Sequence, residues 1–116
     1  DSRKVGDKYS EISAEAGSKV IDDSELDADA KGDNRVVVKI NHATEADGAY
    51  PIVLVSYDIA CPAYKDASTA KFVKSWLTYV TSDAGQKAAA QAAGSAPLPS
   101  SLTSKIAKSI EAIKTE

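Results

Sequence analysis

Methionine is absent from these 116 residues, and cysteine, histidine, tryptophan and phenylalanine each occur once. With no methionine and Asp1 in first place, the chain is expected to be a processed product or a piece of something longer. One histidine (His42) and one cysteine (Cys61) cannot assemble a four-ligand zinc site, even with carboxylates nearby in sequence. No apolar run approaches the roughly 18 residues of a membrane helix, and no charged-then-apolar leader is present. The six glycines lie too far apart for a Gly-x-Gly-x-x-Gly or Walker loop. A basic excess is missing too: net charge is −3 and the pI about 5.1, which argues against nucleic acid as a partner. What is present is a 43% hydrophobic content, enough for the core of one ordinary domain.

The charge is unevenly spread. Residues 1–48 hold 12 acidic and 7 basic side chains, whereas residues 49–116 hold 5 acidic and 7 basic. Six of the seven aromatics also follow residue 48. The shift predicts a change of structural context near Gly48, or simply a polar half packed on a richer one. Tyr50 to Cys61 is the most apolar stretch. Its Ile52-Val53-Leu54-Val55 block has the pattern of a strand buried on both faces. Pro51 suits a strand's first position, where no ladder donor is needed.

Residues 1–9 suggest a short strand. Ser13 is a cap for a helix reaching about Asp22, with Glu15 in its first turn. Val36-Val37-Val38 and Ile40 suggest a strand over 35–40 after the Gly32-Asp33-Asn34 turn. Asp66 or Ser68 opens a helix to about Val80, on which Val73, Trp76, Leu77 and Val80 repeat at helical spacing. Trp76 is therefore expected to be buried and to face the strand expected within Tyr50 to Cys61. Ser82 or Asp83 caps an Ala-rich helix ended by Gly94. Pro97-Leu98-Pro99 cannot continue a helix. A last helix runs from Ser100 or Ser101 to about Lys114, striped by Leu102, Ile106, Ile110 and Ile113.

Three constellations invite chemistry. Asp27, Asp29 and Gly32 match positions one, three and six of a calcium-binding EF-hand, but positions five and twelve fall on Lys31 and Val38, which offer no side-chain oxygen. A solvated acidic loop explains them better. Ser68-Thr69-Ala70-Lys71 matches the Ser-x-x-Lys of serine β-lactamases. Its companions are near misses, since Ser82-Asp83-Ala84 lacks the asparagine and Lys114-Thr115-Glu116 lacks the glycine. A first-turn serine with a surface lysine is the plainer reading, so the chain is expected not to be an enzyme. His42 is read as a surface loop residue, and no Gly-x-Ser-x-Gly elbow accompanies it.

Four stretches, in order, carry a resemblance. They are Gly48-Ala49-Tyr50-Pro51-Ile52-Val53 continuing to Cys61, the helix Phe72-Val73-Lys74-Ser75-Trp76-Leu77-Thr78-Tyr79, then Asp83-Ala84-Gly85-Gln86, and Ala96-Pro97-Leu98-Pro99 before the final helix. Together they resemble the C-terminal end of the PstS phosphate-binding proteins in their actinobacterial form. The resemblance implies an α/β chain, helix-rich with a few strands. It would be the C-terminal part of a two-lobed, type II periplasmic-binding-protein-like fold. Residues 1–48 would end the second lobe and residues 49–116 would return to the first. It implies a longer, extracellular lipoprotein, held at the membrane only through a lipid anchor outside this segment. That protein would bind inorganic phosphate and deliver it to a membrane ABC transporter permease.

The family's phosphate ligands are Ser and Thr hydroxyls, helix-start N–H groups, an Asp, and an Arg before a Ser-Gly-Thr turn. This chain has no Ser-Gly or Thr-Gly pair, and its only arginines are Arg3 and Arg35. No phosphate-binding, catalytic, cofactor or metal residue is therefore assigned within 1–116, and no cofactor is expected. In an extracellular parent, the odd Cys61 suggests a disulfide partner upstream. Two other readings stand beside this one: a stand-alone structural or interaction module without a small-molecule site, and a serine hydrolase using Ser68 and Lys71.

Overall fold

A computed structural model describes all 116 residues. Strands β1 (Ser2–Val5) and β2 (Lys8–Glu11) form an antiparallel hairpin, with Ser2 opposite Glu11 and Val5 opposite Lys8. The turn between them rests on Gly6, whose φ of +58° lies in the left-handed region. The sequence pattern suggested only a single short strand here. Helix α1 (Ala14–Asp22) follows, and the Ser13 hydroxyl accepts from the Ala16 N–H at 3.0 Å, as its capping position predicts.

Strand β3 (Glu25–Leu26) pairs antiparallel with β4 (Val38–Lys39), so the strand expected over 35–40 shrinks to two residues. Strand β5 (Ala63–Tyr64) pairs in parallel with β6 (Lys114–Thr115) at the end of the chain. Between them run α2 (Ala67–Thr81), α3 (Asp83–Ala93) and α4 (Ser100–Glu111). Asp66 caps α2 and Ser82 caps α3, while Gly94 closes α3 in the left-handed conformation at φ +67°. The chain is thus a mixed helix–strand structure, with three separate two-stranded sheets.

Helix α2 packs against α3, α4 and the β5–β6 pair. Its inward face is buried Ala70 with half-buried Val73, Leu77 and Val80, and α4 contributes Leu102 and Ile110 to the core. Around α1, Val20 is fully buried beside Ala16, Ala49 and Tyr50. Gly17 allows a close approach: a methyl group there would lie 3.3 Å from Ala96 Cβ and 3.6 Å from Val53 Cγ1. Residues 1–48 and 49–116 also meet through hydrogen bonds. The Tyr50 N–H donates to the Ala16 carbonyl (2.9 Å), Ser18 Oγ to the Pro97 carbonyl (2.6 Å), and Ser101 Oγ to Asp22 Oδ1 (2.7 Å).

Two expectations are corrected. First, Tyr50 to Cys61 is not a strand. Its start is held by the Tyr50 N–H on the Ala16 carbonyl, the Val53 N–H closes a tight turn onto the Pro51 carbonyl (3.1 Å), and burial alternates from half-buried Pro51, Val53 and Val55 to exposed Ile52 and Leu54. No strand pairs with it through the backbone; β4 reaches it only where the Tyr57 hydroxyl accepts from the Val38 N–H at 3.0 Å, and a strand exists only as part of a ladder. Second, Trp76 is 53% exposed. Helix α2 carries two apolar stripes side by side. Ala70, Val73, Leu77 and Val80 turn inward, while Phe72, Trp76 and Tyr79, at i, i+4 and i+7, form an outer ridge. The Trp76 and Tyr79 rings sit 6.4 Å apart on that ridge, tilted by 42°.

The molecule measures 53 × 33 × 17 Å, with a radius of gyration of 16.0 Å. A compact chain of this length has a radius near 13 Å. The shortest dimension holds little more than one helix with its side chains, about 10–12 Å across. That thinness explains why only 14 of 116 residues are buried.

This packing orders two substitutions. Val20→Ala should cost about 2 kcal/mol, because it opens a cavity in the tightest part of the core. Trp76→Ala should cost less than about 1 kcal/mol, because water already reaches the indole. Urea unfolding followed by far-UV circular dichroism measures both, and a larger loss for Trp76→Ala would contradict the outward placement of that ridge.

Candidate functional site

The polar groups best held in place surround the end of α1. Asp23 Oδ2 accepts hydrogen bonds from Thr44 Oγ1 and from Asn41 Nδ2, the latter at 3.1 Å. Thr44 is buried, and its hydroxyl also accepts from the Ala46 N–H at 3.1 Å. Ser24 Oγ accepts from the Asn41 N–H at 3.0 Å and donates to the Val20 carbonyl at 2.5 Å. Each member is bonded to a neighbour, so this network fastens the 41–46 loop to α1. A cleft of about 320 Å³ lies beside it, lined among others by Asp22, Glu25, Ser101 and Lys105. Two carboxylates against one ammonium make it a poor seat for an anion.

The second groove has the opposite charge. It is an open depression of about 610 Å³ between α2 and β6, where Lys71, Lys74 and Lys114 stand with Ser75 and Thr115. Glu111 is the one acidic residue in its lining, and Lys74 Nζ donates to the Glu111 carbonyl at 3.2 Å. Lys71 and Lys74 share a face of α2 through their i, i+3 spacing. Lys114 arrives because its N–H donates to the Pro62 carbonyl (3.1 Å) in the β5–β6 pairing. Three ammonium groups gather here, but none belongs to an arginine, and no row of backbone N–H groups converges on them.

The residues singled out in sequence fall as follows. Ser68 donates its N–H to Asp66 Oδ1 (2.8 Å), makes no hydrogen bond with Lys71, and stands outside the groove that Lys71 lines. Asp27 Oδ1 accepts from the Asp29 N–H (2.9 Å), an Asx turn that explains the acidic spacing without a cation. His42 Nδ1 meets the Pro51 carbonyl at 3.0 Å and so ties the 41–46 loop to the start of the 51–61 segment. Arg3 pairs with Asp1 at 3.4 Å, and the Arg35 side chain folds over Gly32. Cys61 is exposed and free. The starts of α1, α2 and α3 are capped by Ser13, Asp66 and Ser82, which occupy N–H groups that an anion would otherwise use.

The pairing least expected from sequence is between Gln86 and the proline-rich connector. Gln86 Nε2 donates to the Val80 carbonyl (2.7 Å), and its Oε1 accepts from the Leu98 N–H (2.9 Å). Gly85 beside it tolerates no side chain, since a Cβ would lie 2.1 Å from the Tyr79 carbonyl oxygen. The Gly-Gln and Pro-Leu-Pro motifs are therefore the two halves of one corner.

Over 66 residues, 57% of its length, the chain is 41% identical to phosphate-binding protein PstS2 of Mycobacterium bovis (strain BCG / Pasteur 1173P2) and, to the same extent, to phosphate-binding protein PstS 2 of Mycobacterium tuberculosis (strain ATCC 25618 / H37Rv). The chain resembles a piece of a PstS phosphate-binding protein. This bears out the resemblance read from the four ordered motifs. The match spans 17% of each PstS2 chain, so most of either relative has no counterpart here. No family model and no solved structure matches the chain. No helix is long and apolar enough to cross a membrane.

Two predictions concern single contacts. Gly85→Ala should destabilise the chain by roughly 2–3 kcal/mol, because the new methyl collides with backbone rather than with a movable side chain; thermal unfolding reads the loss, and an unchanged midpoint would contradict the corner geometry. The other involves Asp47. Lys8 Nζ sits 2.7 Å from its Oδ2 and, first by that hydrogen bond and then by its charge, holds the carboxyl below its ordinary value of 3.8. A depressed carboxyl stabilises the fold above its unfolded value, and this contribution is lost as pH falls through the lower folded value. Lys8→Ala should move the Asp47 titration, followed by NMR, up towards 3.8 and shrink that acid-side dependence, the Lys19 charge and the Gly48 N–H keeping the smaller remainder. The pair is fully exposed, so added salt should shrink the effect.

Proposed function

We propose that this chain is the C-terminal part of a two-lobed, extracellular phosphate-binding protein that delivers inorganic phosphate to a membrane ABC transporter. The observation that carries the reading is the 41% identity to PstS2 over 66 residues. In this reading residues 1–48 end the second lobe, residues 49–116 return to the first, and a lipid anchor lies outside the segment. The role is that of a binding protein and not of an enzyme. The outward apolar residues support it: Leu54 is 90% exposed and Ile59 97%, surfaces that a larger protein would cover.

The phosphate site itself belongs to parts of the protein beyond these residues. Tight recognition of a doubly charged oxyanion needs several converging donors around a desolvated charge, best with a bidentate arginine. Arg3 is already paired, three of the four helix starts are self-capped, and the lysine groove is open to water. Isothermal titration with phosphate at physiological salt should give no tight binding for the 116-residue chain and tight binding for the full-length protein containing it. Micromolar binding by the short chain would place the site within it. No binding by the full-length protein would overturn the functional reading.

A further inference from the structure

Asp47 is the only aspartate that a glycine follows, and neither asparagine, Asn34 or Asn41, precedes one. Asp47 and Gly48 form the tip of a turn, which the Ala49 N–H closes by donating to the Ala46 carbonyl at 3.1 Å. Gly48 has a φ of +76°, in the left-handed region. The Asp47 side chain is exposed, and its carboxyl is close enough to the Gly48 N–H to be held ionised in part by it. The atoms nearest to where a Gly48 Cβ would stand all belong to the Lys19 side chain.

We infer that Asp47-Gly48 is a modification site, at which the folded chain converts aspartate to isoaspartate through a succinimide. The Gly48 nitrogen attacks Cγ of the Asp47 carboxyl in its protonated form. A C–N bond forms, a Cγ–O bond breaks, and the Gly48 proton leaves with the hydroxyl as water. A second water then opens the ring. Its addition at Cγ restores aspartate, whereas its addition at the former main-chain carbonyl leaves the chain running through Cβ and Cγ. Water is the only co-reactant. Glycine suits the step because no side chain shields its nitrogen, and its neighbour in sequence supplies the electrophile at no entropic cost of encounter. Lys8 restrains the step. It fastens Oδ2 at 2.7 Å and favours the ionised carboxyl, whose oxygen is a poor leaving group, and the Lys19 charge on α1 acts in the same sense. Lys8 and Lys19 are both exposed, so water and salt keep that restraint partial. The product carries one extra main-chain carbon just before Ala49 and Tyr50, both buried, and so displaces the Tyr50 N–H from the Ala16 carbonyl. The inference uses only these residues and is independent of phosphate binding.

Ageing the 116-residue chain in mildly acidic buffer, followed by tryptic mapping, tests it. The 40–65 peptide holds both Asp47 and Asp58, and Asp58, which precedes Ile59, is the internal control. An isoaspartyl form at position 47 should accumulate with time, and the aged chain should melt below the fresh one. Lys8→Ala should quicken the conversion several-fold, Lys8→Arg should not, and Asp47→Glu, whose ring would need one more atom, should abolish it. The excised 40–65 peptide supplies the rate without the fold. The inference is overturned if position 47 stays unmodified in the folded chain while the excised peptide converts. It is overturned equally if Asp58 converts as fast, or if Lys8→Ala leaves the rate unchanged.

Discussion

One side-chain amide fixes the C-terminal half. Gln86 spends its donor on the Val80 carbonyl at the end of α2 and its acceptor on the Leu98 N–H in the connector. Both partners are main-chain groups, which would otherwise be unpaired at a half-buried corner, and leaving such groups unsatisfied costs about 1–3 kcal/mol each. Because Gln86 opens α3 next to Gly85, the corner can be tight only where no Cβ intrudes on Tyr79. Pro97 and Pro99 then hold the connector extended, and α4 starts where it can fold back along α2. The α4 return in turn brings β6 beside β5. The lysine groove is thus a distant product of one glutamine.

Local chemistry was readable and long-range chemistry was not. The caps at Ser13, Asp66 and Ser82 and the left-handed stop at Gly94 lie where the sequence puts them, because a cap involves residues within one turn. The Ile52–Val55 block has the composition of a strand, yet a strand is defined by a neighbour that composition cannot supply. The outward placement of Trp76 escapes the sequence for another reason. Two apolar stripes run along α2, and periodicity finds both without saying which meets the core. Of the groove, Lys71 and Lys74 are legible as one helix face, whereas Lys114 joins them only through a parallel pairing with residues some fifty positions earlier.

The motifs that carry the resemblance to PstS proteins include the two halves of this corner. Conformation explains several of them without any ligand: Gly85 for lack of space, Gln86 for its two main-chain partners, the prolines for rigidity. The motifs quoted for the resemblance therefore report on architecture, which is why no phosphate ligand could be transferred with them.

The thinness of the molecule has a thermodynamic consequence. Denaturant sensitivity and the heat capacity of unfolding both scale with the surface newly exposed when a chain unfolds. A slab 17 Å deep keeps most of its side chains wet in the folded state, so unfolding exposes little that is new. The free chain should melt over a broad temperature range, with a shallow urea slope and a stability curve that is low and flat. Thickening the slab, as the rest of a longer chain would, is what would sharpen that transition.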